Sequence, residues 1–336
     1  VQTGPPVIVQ NVFVELDGEG KDNSTLTAGI KNFALKKGAI LLQNLYENEK
    51  KKLINLAFRE GYLDAVFVTH SIKINRDTNL AEIHLTLNTD KRYYFGETTS
   101  KQQIIKPQLL ESYFPYKKGA PYSPAKIFEL QHILNRTSYF GEVLVQGKIS
   151  AAVDREVPIH IELKPRQTLN EYSLGAGYAT DTGIQARANL DNRLLNTRGH
   201  KIRAALLIAE LERSGSIAYT VPLEDARRQN LLSRLSYQRK IWDDTDTTLF
   251  TAGLTRAYMG PKYNYDTSLV YRTEDYTIGS TSDDSFLLMP TVNMGFAFAN
   301  DLLKTKHGLK VSTGILGAID GLGSDTDFLQ LTLDGK

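Results

Sequence analysis

The sequence predicts an α+β first half, built from two copies of one small unit, followed by an antiparallel β-barrel that crosses a membrane. Segments of the first half recur 76 to 81 residues further along the chain. From residue 169 onward the pattern shows alternating strands and turns, with no helical periodicity. No run of about eighteen apolar residues occurs, so a crossing would use strands, whose alternation averages out as polar.

Composition limits the classes of function. Lys and Arg number 40 against 38 for Asp and Glu, a formal net charge of +2, which gives no support to a nucleic-acid partner. The chain has no cysteine, so disulfides and thiolate metal sites are excluded. Its 336 residues suffice for two or three domains.

The first half carries an internal duplication. Three pairs of segments correspond: 36–39 with 117–120, 59–68 with 136–145, and 83–87 with 159–163. The offset falls from 81 to 77 residues where both copies have a helical pattern. Four residues are about one helical turn, so we expect a longer second helix in the first copy.

Each copy is predicted as strand, short helix, Lys-Lys-Gly turn, second helix and two closing strands. The predicted elements of the first copy are a strand at 8–16, a helix at 24–33, a helix through 45–58 and strands at 65–74 and 81–88. Those of the second are a strand at 92–98, a helix at 106–114, a helix from Pro124 and strands at 142–149 and 157–164. Ser123 before Pro124 is typical of a helix start.

The β-α-α-β-β order resembles the POTRA (polypeptide-transport-associated) domain, whose second helix ends in Gly, two aromatic residues and, after two more, Val. The first copy has Gly61-Tyr62-Leu63 before Val66; the second has Ser138 in place of the Gly. The resemblance implies POTRA domains at 5–90 and 91–166, the second and third of the family's set. It also implies open strand edges that add extended peptides, which we place at Val66, Val68, Val143 and Val145.

The second half has about ten alternating segments joined by polar turns, a pattern typical of outer-membrane barrels. Several tyrosines are predicted near strand ends, where aromatic girdles lie: Tyr172, Tyr178, Tyr258, Tyr263 and Tyr271. Alternation alone also fits a soluble sandwich or a lipocalin-like barrel.

Three segments resemble the TamA-type members of the outer-membrane-protein assembly superfamily, which also contains BamA. They are the first hairpin at 175–183, the Asn-x-x-Gly-His turn at 196–200 and Tyr-x-x-Pro-Leu at 219–223. The resemblance implies an antiparallel transmembrane β-barrel over 169–336. Barrels of this type have about sixteen strands, so we expect the chain to be a fragment with an incomplete barrel.

The same resemblance implies a factor of the outer membrane, with POTRA domains in the periplasm, that inserts β-barrel or autotransporter proteins. Expected partners are nascent outer-membrane proteins, outer-membrane lipid and an inner-membrane-anchored TamB-like protein. The first strand would be a lateral gate that pairs with incoming strands: Glu171, Tyr172, Ser173, Leu174, Gly175, Ala176, Gly177, Tyr178 and Ala179. Its two glycines either leave room for interior packing or weaken the strand.

Other functions stay open. A two-partner secretion transporter has two POTRA domains and a barrel, but carries a plug helix upstream. An outer-membrane enzyme would need a catalytic domain upstream, and a passive porin needs no duplicated module.

No motif demands bond chemistry, so we expect no enzyme, cofactor or metal. The six histidines show no metal-ligand spacing, and Gly175-x-Gly177 does not open a helix as a dinucleotide loop would. Two groups of aspartates lack the spacing of a calcium loop and fit solvated turns: Asp243, Asp244 and Asp246, and Asp320, Asp325 and Asp327.

Overall fold

The computed structural model describes residues 5–299 and 306–336, whose strands form two three-stranded sheets and one ten-stranded sheet. The chain divides into two compact units. One holds the residues up to Lys101 with Phe114–Arg136 and Glu142–Leu163; the other holds Gln102–Tyr113, Thr137–Gly141 and Lys164–Lys336. Two short segments of the second predicted α/β domain therefore belong to the unit of the ten-stranded sheet.

The first α/β domain has the predicted order of elements: β1 (Ile8–Asp17), α1 (Ser24–Lys31), α2 (Gln43–Arg59), β2 (Val66–Asn75) and β3 (Leu80–Asn88). The sheet order is β1-β3-β2, with β1 parallel and β2 antiparallel to β3. Alternate residues of β3 are buried, and Ile83, Leu85 and Leu87 share a core with Leu53 of α2. Strand β2 is thus an outer strand of its sheet.

The second α/β domain repeats this order: β4 (Tyr94–Ser100), α3 (Pro107–Glu111), α4 (Pro124–Arg136), β5 (Phe140–Gly147) and β6 (Glu156–Pro165). Its sheet order is β4-β6-β5, so β5 is the outer strand equivalent to β2. Helix α2 has 17 residues and α4 has 13, which confirms the predicted extra turn in the first copy.

The turn after each long helix needs a left-handed backbone. Gly61 has φ +93°, and Ser138, its equivalent, has φ +64°. A Cβ at Gly61 would lie 2.7 Å from the Tyr122 carbonyl oxygen. The Gly-to-Ser change noted in the sequence therefore places an L side chain in a conformation that costs free energy.

The two α/β domains meet at a joint centred on Arg155. Its guanidinium donates to the Asp64 carboxylate at 2.5 Å and to the Asp90 carboxylate at 3.3 Å. It also lies 4.9 Å from the ring centroid of Tyr93, whose hydroxyl donates to Asp64 at 2.9 Å. One side chain of the second domain thus contacts two loops that flank the first.

The ten-stranded sheet is an antiparallel meander in which each strand pairs with its neighbours in sequence. Its strands are β7 (Asn170–Ala179), β8 (Gly183–Asn192), β9 (Lys201–Ala209), β10 (Glu212–Pro222), β11 (Gln229–Trp242), β12 (Thr245–Met259), β13 (Tyr263–Ile278), β14 (Thr281–Ala299), β15 (Gly308–Ala318) and β16 (Phe328–Gly335). The predicted number of strands is confirmed. Among the described residues, no helix is long and apolar enough to cross a membrane.

The two faces of this sheet differ in polarity. Directly paired residues share a face, so the register defines rows across the sheet. One row is apolar: Tyr172, Leu190, Ala204, Ile217, Leu235, Ala252, Tyr271 and Leu288. The adjacent row on the other face is mostly polar: Ser173, Asn189, Ala205, Ser216, Ser236, Thr251 and Arg272. We call these the apolar face and the polar face.

Charged and aromatic rows bound the apolar face. At the end far from the start of β7, one row holds Arg213, Arg239, Thr248, Asp275 and Asp284. At the proximal end, where β7 begins, another holds Gln229, Tyr258, Tyr265 and Met294. The rows are ten residues apart on β12, or about 26 Å at ~3.4 Å per residue and ~40° tilt. This matches the apolar band of about 25 Å on outer-membrane barrels.

The tyrosines predicted to form an aromatic girdle do not all lie near strand ends. Tyr258 and Tyr263 lie at the proximal end, and Tyr178 is the last residue but one of β7. Tyr172 is the third residue of its strand. Tyr271, however, lies in the middle of β13, so its prediction as a strand-end residue was wrong. It pairs with Leu288 within the apolar face.

The segment 319–327, which joins β15 to β16, covers the part of the β14 edge that β15 leaves unpaired. Strand β15 pairs with β14 only over 291–299, which leaves the earlier half of β14 without a strand on that side. There Asp325 exchanges bonds with the Phe286 backbone, its carboxylate accepting from the amide at 2.9 Å and its own amide donating to the carbonyl at 3.1 Å. Ser324, which is buried, accepts from the Leu288 amide at 2.8 Å.

Candidate lateral edge and strand-docking sites

Strand β7, the predicted gate, contains all nine residues proposed for it. Among the described strands it pairs with β8 alone, through a regular register from Asn170 opposite Asn192 to Ala179 opposite Gly183. Every residue of β7 except Ala179 is exposed; Leu174 is 86% exposed. The outer backbone of β7 therefore presents amide and carbonyl groups that another strand can pair with.

Among the described residues, the side-chain hydrogen bonds and ion pair that join β7 to its neighbour lie near the start of the strand. Asn189 donates to the Ser173 hydroxyl at 3.0 Å, and Arg193 forms an ion pair with Glu171. Beyond Ser173 the polar face of the strand consists of Gly175, Gly177 and Ala179. The far half of β7 thus depends on backbone pairing with β8.

The two glycines are not required by close packing. A Cβ at Gly175 would meet no atom within 4 Å, and one at Gly177 would meet only Gln185 at 3.8 Å. Gly295, by contrast, is enclosed, since a Cβ there would lie 2.5 Å from Asn264, whereas Gly215 also has room. The free space at Gly175 and Gly177 favours the second sequence interpretation, in which these glycines weaken the strand.

The valines predicted at the POTRA edges do not share one environment. Val66 and Val68 on β2 are 55% and 57% exposed, whereas Val143 and Val145 on β5 are 7% and 5% exposed. On β2 it is Phe67, opposite the buried Leu87, that packs against the core, so Val66 and Val68 on either side of it face outward. Both strands are outer strands, but only on β2 do these side chains face outward. That extended peptides add to these two edges stays a prediction.

Sequence reasoning missed a contact at the turn between β8 and β9, the junction turn (residues 193–200). The Tyr139 hydroxyl donates to the Gly199 carbonyl at 2.8 Å, and the Thr197 carbonyl accepts from the Lys106 amide at 2.8 Å. Lys201 donates to the Thr137 carbonyl at 2.8 Å. Gly199 has φ +80°, and a Cβ there would lie 2.6 Å from Leu109. The Asn-x-x-Gly-His turn at 196–200 is therefore in contact with Tyr139, the tyrosine of the second POTRA signature.

The hydrogen bonds at the junction turn are shielded from water. Tyr113 donates to the Tyr139 hydroxyl at 3.5 Å, and both rings are buried. Burial raises the pKa of Tyr113 and the pKa of Tyr139 above the ordinary tyrosine value, so both stay protonated donors at neutral pH. These bonds connect Tyr113 and Tyr139 to the junction turn.

The described residues contain no cluster of three or more His, Asp or Glu side chains able to hold a metal ion. Repeat-equivalent His84 and His160 have separate roles: His84 stacks on Phe13 at 4.9 Å, and His160 bonds Thr99 at 3.0 Å. Asp246 pairs with Arg239 at 2.6 Å, and Asp325 bonds β14 as described. The features that stand out are the strand edges.

No protein-family model matches this sequence. Among solved structures, the chain is similar to BamA from Haemophilus ducreyi lacking POTRA domains 1–3, with TM-score 0.69 and 14% identity over 98% of this chain and 66% of that chain. It is also similar to CdiB from Escherichia coli, with TM-score 0.57 and 12% identity over 99% and 65% of the two chains. For CdiB from Acinetobacter baumannii the TM-score is 0.52, with 12% identity over 100% and 65%.

At these identities the similarities show the fold. It consists of POTRA domains of β-α-α-β-β order followed by an antiparallel transmembrane β-barrel, of which this chain contains part. The predicted fold class is confirmed. The chain spans about two thirds of the length of the solved chains it matches.

Proposed function

We propose that this chain belongs to an outer-membrane factor that inserts β-barrel or autotransporter proteins through a lateral gate at β7. The observation that supports the proposal is the weak hold on β7, whose far half is joined to β8 by backbone pairing and carries Gly175 and Gly177 where larger residues would fit. An incoming strand that pairs there would have its apolar side chains on the side of Tyr172 and Leu174. Pairing satisfies backbone groups that hydrocarbon cannot.

The POTRA domains would supply earlier contacts in the periplasm. Strand β2, with Val66 and Val68 outward, offers both backbone groups and apolar side chains to an extended segment. Strand β5 offers its backbone alone. The occupants we propose are nascent outer-membrane proteins and an inner-membrane-anchored TamB-like protein. The work is strand pairing and burial of apolar surface, with no bond chemistry, cofactor or metal.

A disulfide across the seam tests the gate, since the chain has no native cysteine. Ser173→Cys would be paired with a cysteine in the last strand of the full-length barrel. We expect oxidation to stop assembly of a β-barrel client in proteoliposomes and reduction to restore it. Assembly at the normal rate with the seam closed would contradict the gate.

The register provides a matched control inside the sheet. Ser216 and Ser236 lie in the same row as Ser173 but on paired interior strands. A Ser216→Cys/Ser236→Cys disulfide closes no edge, so oxidation of this variant should leave assembly unchanged.

Two-partner secretion is the second candidate, favoured by the similarity to CdiB over nearly the whole chain. In that case the polar face would line a path for an unfolded exoprotein. The two functions differ in where the client arrives. A transporter releases its client into the medium, and closing the seam would not stop release; an assembly factor leaves the client in the membrane.

A further inference from the structure

An arginine lies on the apolar face close to its proximal boundary. Arg256 pairs with Leu231 and Thr267, one row inside the row of Tyr258 and Tyr265. Its guanidinium donates to the Gln229 side chain at 3.4 Å, in that tyrosine row. The long side chain therefore turns from the apolar band toward its edge, as arginines do at a membrane interface.

A second arginine and three aromatic rings lie beside it. Arg228 donates to the Tyr258 hydroxyl at 3.3 Å. The Tyr258 ring stacks on Tyr265 with centroids 5.1 Å apart and on Tyr263 at 5.3 Å. The tyrosines thus form a platform at the boundary, with one guanidinium bonded to the hydroxyl of its central ring.

In the part of the chain that the structure describes, neither of these two guanidinium groups has a carboxylate partner. The nearby Asp225 is held by Arg227, which donates to both of its oxygens at 2.8 and 3.1 Å. Within residues 5–299 and 306–336, no ion pair joins Arg228 or Arg256 to an acid. Two unneutralised positive charges at the edge of an apolar band favour an anion from outside the protein.

We propose that Arg228 and Arg256, with Tyr258 and Tyr265, bind the phosphate of a phospholipid headgroup at the proximal edge of the apolar face. The inference rests on the membrane location in the proposed function, not on the gate. Guanidinium groups suit phosphate oxygens because they donate several hydrogen bonds in one plane. Leu231, in the same row as Arg256, and Leu254, one row further into the band, are placed to contact the acyl chains.

The site also fixes the depth of the sheet. Phosphate groups lie at the boundary between hydrocarbon and water, so binding at Arg256 would hold the tyrosine row at that level. The charged row with Arg239 and Asp275 would then lie about 26 Å away, at the opposite boundary.

Lipid retention tests the proposal on the full-length protein in nanodiscs with equal phosphatidylglycerol and phosphatidylcholine. Native mass spectrometry would count the phospholipids that remain bound on release. We expect a preference for phosphatidylglycerol that falls about tenfold in Arg228→Gln/Arg256→Gln, the loss of two charge-assisted contacts. An unchanged preference in this variant would overturn the site.

Three control measurements show whether the two arginines cause the lipid preference. Arg234→Gln removes the same charge from the polar face, where Arg234 pairs with Gly253, and should keep the preference; its loss there would show a bulk charge effect and overturn the site. Arg228→Lys/Arg256→Lys keeps both charges and should fold and retain most of the preference. Inorganic phosphate at millimolar concentration should not compete; full competition would mean a soluble anion site.

The result is separable from the proposed function. Client assembly is measured on the same preparations, so a lipid preference with no assembly would contradict the assembly factor and keep the site. Client assembly by a wild-type protein with no lipid preference would contradict the lipid site and keep the assembly factor.

Discussion

Arg155 of the second α/β domain donates to Asp64 of the first at 2.5 Å, and both residues also contact Tyr93. Arg155 itself has φ +66°, as part of a turn that directs its side chain to the neighbouring domain. Because the guanidinium bonds two carboxylates and lies against the Tyr93 ring, it fixes the angle between the two domains more than it adds to their stability.

Arg155→Ala is therefore expected to loosen the joint with little effect on thermal unfolding. Spin labels on exposed sites of the two domains, measured by pulsed dipolar spectroscopy, should show a wider distance distribution. Arg166→Ala, a change of the same charge outside the joint, is the control. An unchanged distribution in Arg155→Ala would assign the rigidity to the backbone contacts at Gly61.

Ser138→Gly is expected to stabilise the protein by about 1 kcal/mol, because φ +64° is unfavourable for an L side chain and costs glycine little. Gly61→Ala should do the reverse by a larger amount, since its Cβ would approach the Tyr122 carbonyl. Urea denaturation followed by circular dichroism measures both. A destabilised Ser138→Gly would mean that the serine hydroxyl has a role of its own.

Tyr139→Phe should make the junction turn open more often, because it removes a hydrogen bond that holds the turn. It leaves the buried Gly199 carbonyl without its donor, at a cost of about 1–2 kcal/mol. Hydrogen exchange should increase locally at residues 193–200, while the interior strands stay protected. Tyr94→Phe, at a partly exposed ring, is the matched control. Equal exchange in the two variants would show that Leu109 packing holds the turn instead.

Gly175→Ala tests the weakness of the gate strand. The site has space for a methyl group, so the fold should be unchanged, and the higher strand propensity should stabilise β7 by up to about 1 kcal/mol. We expect slower client assembly. Gly215→Ala on interior strand β10, where the Cβ would also find room, should leave the rate unaltered. Equal rates for both variants would remove the glycine argument.

The equivalent valines should respond in opposite ways. Val145→Ala removes buried methyl groups and should cost about 1–3 kcal/mol, seen as faster exchange throughout the second α/β domain. Val68→Ala should leave exchange unchanged and weaken capture of an extended client peptide by the full-length protein. If the peptide binds Val68→Ala normally, β2 docks by backbone alone or does not dock.

The sequence predicts much of this fold because its signals are local. Periodicity located both long helices and the ten strands, and the change of repeat offset predicted the extra turn of α2. The facing of the valines could not be predicted, because Val66 and Val143 are identical residues at equivalent positions of the repeat and yet only Val143 is buried. The bond between Tyr139 and Gly199 could not be predicted, since it joins residues 60 positions apart in sequence. The site at Arg256 could not be predicted from the sequence, because locating it requires the register of three paired strands.

The cover that segment 319–327 places over β14 has a consequence for selectivity. Ser324 and Asp325 occupy donor and acceptor positions that a foreign chain would otherwise find vacant. Pairing of a foreign strand at that part of the sheet would first have to displace them. The segment thereby disfavours misdirected pairing along this half of β14.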